Sequence, residues 1–255
     1  MQRIATAAGA AQVERGLVLA ALAFVVAGGL YSTLQLGDSV MMAAGDGPGL
    51  GYFALLFAMW WTMMMAMMLP SAAPAILVYA SLNRKLAAKG GTAPLAAFIG
   101  GYATVWSAFC LAVVGLQILL GGAIRLDMMM ATESAWVGGA LLLAAGLYQL
   151  SPLKGACLSK CQSPLFFFAR RWRAGPWGAW RMGLAHGVYC LGCCWVLMAL
   201  LFYGGVMELR WIIGLALYVA AEKFIPAQNW LSRFTGLILI GWGILTVWQA
   251  GAGAS

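Results

Sequence analysis

Met182-Gly-Leu-Ala-His186-Gly-Val-Tyr-Cys190-Leu-Gly-Cys193-Cys194-Trp-Val-Leu-Met-Ala-Leu-Leu201 lies in a run from Arg181 to Glu208 that has no charged side chain between its ends. Such a run spans a bilayer as a helix, because roughly 20 residues at about 1.5 Å each cover the hydrocarbon core and a helix leaves no backbone group unpaired. Four of its residues can do more than fill space. His186 is the only histidine of the chain, and Cys190, Cys193 and Cys194 are half of its six cysteines. At about 100° per residue the four project within one arc of a helix. Soft sulfur and imidazole on a common face, where lipid supplies no water, is the chemistry of a transition-metal or thiol-redox site. The same face also suits packing, since free Cys behaves as a small hydrophobe and Gly183, Gly187 and Gly192 allow a neighbouring helix to come close.

The rest of the chain matches this run. Hydrophobic residues fill 64% of 255 positions and charged residues 9%, with mean hydropathy +0.89, against roughly 25% charged residues in soluble domains. The expectation is an all-α, polytopic membrane helix bundle, a single integral domain over 1–255. About seven transmembrane helices are expected, at 16–36, 51–82, 94–122, 134–151, 180–207, 210–228 and 232–250. The first follows Arg3 and Arg15 but has no small-x-small cleavage site behind it, so it reads as a retained span. Of the 15 Lys and Arg residues, 13 alternate onto one side, with only Arg125 and Arg210 on the other. The positive-inside rule then puts the N-terminus in the cytoplasm and the C-terminus outside. Topology and anionic membrane lipid account for the formal charge of +8 without a nucleic-acid partner. Connection 152–180 is broken by Pro152, Pro164, Gly175 and Pro176, and its centre, Leu165-Phe-Phe-Phe168 followed by Arg170 and Arg171, reads as an interfacial helix. Gly pairs at 28–29, 100–101 and 138–139 read as points of close helix packing.

Further soft or ionisable groups fall at membrane depth. In the second span Met59, Met63 and Met67 recur every fourth residue, with Met64 and Met68 as the adjoining stripe. Thioethers favour Cu(I) and bring no charge into lipid, although Met also fills gaps in bundles. Pro70 and Pro74 remove two backbone donors and are expected to kink this span. Glu222 lies in the inner half of the sixth span, and a carboxylate there points to function or to a hydrogen-bonded anchor between helices. Lys223 is expected to snorkel toward the cytoplasm rather than pair on the same face. His186 and Cys194 stand about 12 Å apart along the helix axis, too far for one ion to use both. The face therefore reads as adjacent half-sites completed by other helices. Cys157 and Cys161, placed in a cytoplasmic loop, share a face if helical, and Asp127-Met128-Met129-Met130 offers thioethers outside.

The Ala58–Pro74 segment, the Cys157–Cys161 pair, the run Arg181–Trp195 and Glu222-Lys223 together resemble a bacterial family of predicted metal-binding integral membrane proteins of unassigned function. The likeness covers about residues 50–250, is most specific in the fifth span, and implies metal binding without naming a metal. The adjacent Cys193 and Cys194 also resemble the pair of mercuric-ion transporters, which keeps Hg(II) and Zn(II) open. The reading is a soft-metal protein of the bacterial inner membrane, for copper as Cu(I) first and zinc or another soft metal second, engaged in transport or delivery rather than catalysis. Its metal residues are expected among His186, Cys190, Cys193, Cys194, Glu222, Met63, Met67, Met68, Cys157 and Cys161. The expected partners are lipid, a metallochaperone or partner membrane protein, and other copies of the chain. Two alternatives are a membrane thiol-disulfide oxidoreductase that exchanges electrons with a quinone, and a metal-stabilised scaffold subunit. No nucleotide-binding loop occurs, so ATP-driven transport would need another subunit.

Overall fold

The computed structural model describes residues 2–44, 49–86, 92–120, 127, 129–225 and 230–252, and these are almost entirely helical. In chain order the helices are α1 (Gln2–Ala44), α2 (Leu50–Ser71), α3 (Ala73–Leu86), α4 (Thr92–Leu120), α5 (Ala135–Gln149), α6 (Pro152–Gln162), α7 (Pro164–Arg171), α8 (Gly175–Ala199), α9 (Leu201–Gly204), α10 (Leu209–Phe224) and α11 (Trp230–Ala252). Among the described residues four segments are long and apolar enough to cross a membrane: Leu50–Ser71, Ala93–Leu120, Gly175–Gly204 and Trp230–Ala252. Their burial divides them. The apolar windows of the first and third are 56% buried inside the protein, those of the second and fourth only 17% and 22%. So α2 and α8 form the interior, while α4 and α11 carry a belt of exposed apolar side chains that includes Leu111, Leu119, Leu237 and Trp248.

Breaks fall where the chain chemistry requires them. The 51–82 stretch divides at Ala72, between Pro70 and Pro74, where Ser71 Oγ donates to the Met68 carbonyl at 2.8 Å and the Ala72 N–H turns back to Met68 and Leu69. The 134–151 span ends at Ser151-Pro152. Ser151 caps α6 by accepting from the Lys154 N–H, with Pro152 in the first turn, and α6 leaves at 65° to α5. α10 has 16 residues, about 24 Å of helix, short of the roughly 30 Å hydrocarbon core. The expected 16–36 span lies inside α1.

α4 packs along α8, α5 along α11 and α1 along α2. The α4–α8 contact is a glycine seam: a Cβ at Gly183 would collide with the Phe98 carbonyl, and one at Gly101 with the Trp180 carbonyl. Of the expected packing pairs, Gly29, Gly101, Gly138 and Gly139 lie against neighbouring helices, whereas Gly28 and Gly100 face open space. Two expectations change here. α7 is not only an interfacial helix: Phe167 and Phe168 are buried, and Phe168 packs against Tyr79 and Phe98 while Leu165 and Phe166 stay exposed. Residues 152–162 are not a surface loop, because α6 packs on α8 and buries Lys154, Leu158 and Cys161.

Candidate metal centre

The sulfur-bearing face of α8 is divided between neighbours. On one side the glycine seam brings α4 so close that Tyr102, one turn beyond Phe98, reaches the thiols. Its hydroxyl lies 3.1 Å from Cys190 Sγ and donates to the Met68 carbonyl at 3.0 Å. From α10, Lys223 Nζ donates to Cys190 Sγ at 3.1 Å and to Ser71 Oγ at 2.7 Å. Cys194 points the same way, with its Sγ 3.9 Å from Met68 Sδ. Cys190, Cys194 and Met68 are fully buried. Helices α2, α4, α8 and α10 thus converge on two thiols, a thioether, a hydroxyl pair and an ammonium.

Cys193 turns to the other side, toward α6. It lies beside Cys161, and Cys157 Sγ rests over Gly192, 2.8 Å from where a Cβ would stand. Gly192 therefore lets α6 approach with both of its cysteines facing α8. The Cys157–Cys161 pair is not a remote station in a loop; it makes a second thiol group that shares α8 with the first. Both Cys193 and Cys194 also donate to the Cys190 carbonyl at 3.0 Å.

The remaining expected residues are distributed as follows. His186 is buried among the rings of Phe98, Tyr102 and Phe167, and its Nδ1 has no hydrogen-bond partner among the described residues. Met63 and Met67 are buried in the core; Met68 is the member of the stripe whose sulfur reaches a thiol. In the 127–130 segment, Met130 Sδ accepts from Gln117 and the Met207 N–H donates to the Met129 carbonyl; Met128 lies outside the described residues. Among the described residues no three His, Cys, Asp or Glu side chains are poised together to hold a metal ion. The convergence that does occur depends on a thioether.

Glu222 is occupied. Lys154 donates to both of its carboxylate oxygens, at 2.8 and 2.7 Å, and Tyr218 and Ser232 donate to Oε1 at 2.7 and 2.6 Å. The expectation for Lys223 is also corrected, for it does not snorkel: it is 7% exposed and faces the thiols. Its Nζ is held by the Cys190 thiol and the Ser71 hydroxyl inside the bundle. Lys223, Tyr102 and Ser71 are the residues of the centre that sequence reasoning missed. The available signal was a lysine next to Glu222 within an apolar segment.

Fold and site together define an all-α protein with a sulfur-lined centre set among α2, α4 and α8, each long and apolar enough to cross a membrane, and the shorter α10. The family described as PpoB2, copper chaperone, matches residues 57–246, and the chain belongs to that family. The match contains every residue of the centre and carries a copper description where the sequence resemblance named no metal. No curated protein and no solved structure matches the chain.

Proposed function

We propose that the protein holds copper as cargo, in the Cu(I) state, within a bacterial inner membrane and passes it to a partner protein. The observation that carries this reading is the 3.9 Å separation of Cys194 Sγ and Met68 Sδ beside Cys190. With metal–sulfur bonds of about 2.3 Å, as for zinc thiolates, trigonal coordination separates its sulfurs by about 4 Å. Thiolate and thioether are the ligands that select Cu(I). Each thiol loses its proton as it ligates. Cys193, Cys161 and Cys157 form the second station across α8, His186 flanks the first, and Met63 and Met67 lie buried on the same helix as Met68. We assign Glu222 a structural role.

In this reading the chain crosses the membrane seven times with the N-terminus in the cytoplasm. Exposed Arg84, Lys85, Arg170, Arg171, Arg173, Arg181 and Arg233 support the cytoplasmic side. Lys154 and Lys223 are buried and carry no topological weight. On the outer side, Arg210 is paired with Glu208 at 2.8 Å. Quinone-linked thiol exchange gains nothing from the apolar cavity of about 520 Å³ that Trp60, Phe109, Leu141, Trp195 and Phe202 line, since among the described residues no cysteine lines it.

The test is metal content. Protein purified under reducing, chelator-free conditions and loaded with Cu(I) is expected to retain it through dialysis, and a Cys190→Ser/Cys194→Ser variant of equal helicity to lose it. Equal retention by the two would end the reading.

A further inference from the structure

We infer that the apolar cavity walled by Trp60, Phe109 and Trp195 is a binding site for one acyl chain of a membrane phospholipid. The inference uses the helix bundle and its apolar belt and is independent of the metal reading. The cavity's volume of about 520 Å³ is that of a small-molecule site, for which roughly 300–1,000 Å³ is usual. Side chains of α2, α4, α5, α8 and α9 all contribute to its wall. Among them Leu116 and Leu120 of α4 and Trp195 of α8 are exposed and form the mouth, whereas Trp60 and Met198 are each 1% exposed and form the floor. The cavity therefore leads from the outer face of the bundle into its core.

The wall selects an apolar occupant. Its amide and hydroxyl side chains, Gln117 and Thr132, are engaged with the protein: Trp60 Nε1 donates to Gln117 Oε1 at 3.0 Å, Gln117 Nε2 donates to Met130 Sδ at 3.6 Å, and Thr132 Oγ1 accepts from the Ser134 N–H at 3.3 Å. A polar headgroup placed inside would give up its hydration for hydrocarbon and aromatic rings. Left empty, the lining atoms lack contacts on one side, and dry apolar cavities take up apolar molecules. The length then chooses among such molecules. Along α4 the lining runs from Phe109, near the middle of the helix, to Leu120, its last residue, a rise of about 16 Å. That is the depth of one leaflet of a hydrocarbon core roughly 30 Å thick. The mouth lies on the face of α4 that also exposes Leu111 and Leu119, in a segment whose apolar window is only 17% buried, so the site is continuous with the surface that faces lipid. A helix from a second copy, 10–12 Å across, would fill the volume in about one turn and cannot follow this length. A phospholipid chain fits wall and length together, with its headgroup left outside at the Leu120 end.

The experiment reconstitutes the full-length protein into vesicles of phosphatidylethanolamine and phosphatidylglycerol doped with phosphatidylethanolamine that carries a diazirine in one acyl chain, and maps the adducts formed on irradiation by mass spectrometry. Adducts are expected on Trp60 and Met198, which lipid outside the cavity does not touch, and on the exposed Leu237 and Trp248 of α11. Ala199→Phe places a ring in the cavity; it is expected to lose the Trp60 and Met198 adducts and to keep those on α11. Leu116→Trp narrows the mouth from an exposed position and is expected to give the same loss should Ala199→Phe fail to fold. Protein extracted in mild detergent is expected to retain a phospholipid that the two variants lack. Adducts confined to exposed residues overturn the inference. So does a polyprenyl quinone recovered in place of the phospholipid, or cross-links between two copies of the chain through these wall residues. Copper retention is read separately, so either proposal can fail without the other.

Discussion

Lys154 and Glu222, 68 residues apart in the chain, meet in the interior through both carboxylate oxygens and are 1% and 2% exposed at their side chains. The pair ties α6 to α10, and Ser232 extends it to α11. Breaking a buried pair leaves the partner charge uncompensated, so Lys154→Met and Glu222→Gln are each expected to destabilise by about 3–5 kcal/mol. The double variant Lys154→Met/Glu222→Leu is expected to cost much less than the sum. Unfolding in detergent checks this; additive single-variant losses would contradict a closed pair.

Gly183 supports the α4–α8 seam that delivers Tyr102 to Cys190. Gly183→Val is expected to cost at least the 1–3 kcal/mol or so typical of overpacked cores, because the Phe98 backbone cannot retreat as a side chain can. Gly100→Ala, whose Cβ meets nothing within 4 Å, is expected to be neutral or to stabilise by up to about 1 kcal/mol. Thermal unfolding of the two side by side separates a contact effect from helix propensity.

Met68→Leu conserves volume and removes one sulfur. The expected stability change is under about 1.5 kcal/mol, while Cu(I) affinity falls by about tenfold or more, the scale on which even an outer-shell partner acts. Met64→Leu, equally buried in the same stripe, is expected to leave affinity unchanged. Competition against a Cu(I) chelator reads both; equal losses in the two variants would reduce Met68 to packing.

Thiol accessibility follows from burial. Cys157 is half-buried, and the other five cysteines are buried. Maleimide labelling of native membranes followed by mass spectrometry is expected to modify Cys157 first, with Cys190 and Cys194 protected until the protein is denatured. Labelling of Cys194 ahead of Cys157 would contradict the enclosed centre.

The fifth apolar stretch made its own helix legible, and the arc of Cys190 and Cys194 along it was legible because helical periodicity is local. The break near Pro70 and Pro74 was readable for the same reason, since a missing N–H acts on its own turn. The sulfur pairing with Met68 was readable only as a possibility, because a methionine stripe packs and ligates with the same residues.

What the sequence determined by itself is the all-α class, the apolar segments and the soft-ligand character of the centre, all of which depend on composition and on spacings within one helix. Only the tertiary structure decided which helix each thiol faces: Cys190 and Cys194 toward α2 and α4, Cys193 toward α6. It also decided that Lys223 turns inward and that Glu222 is taken by Lys154. A charge buried in an apolar interior finds its partner wherever the packing of distant helices brings one within hydrogen-bond reach, and that distance is not encoded in the neighbouring residues.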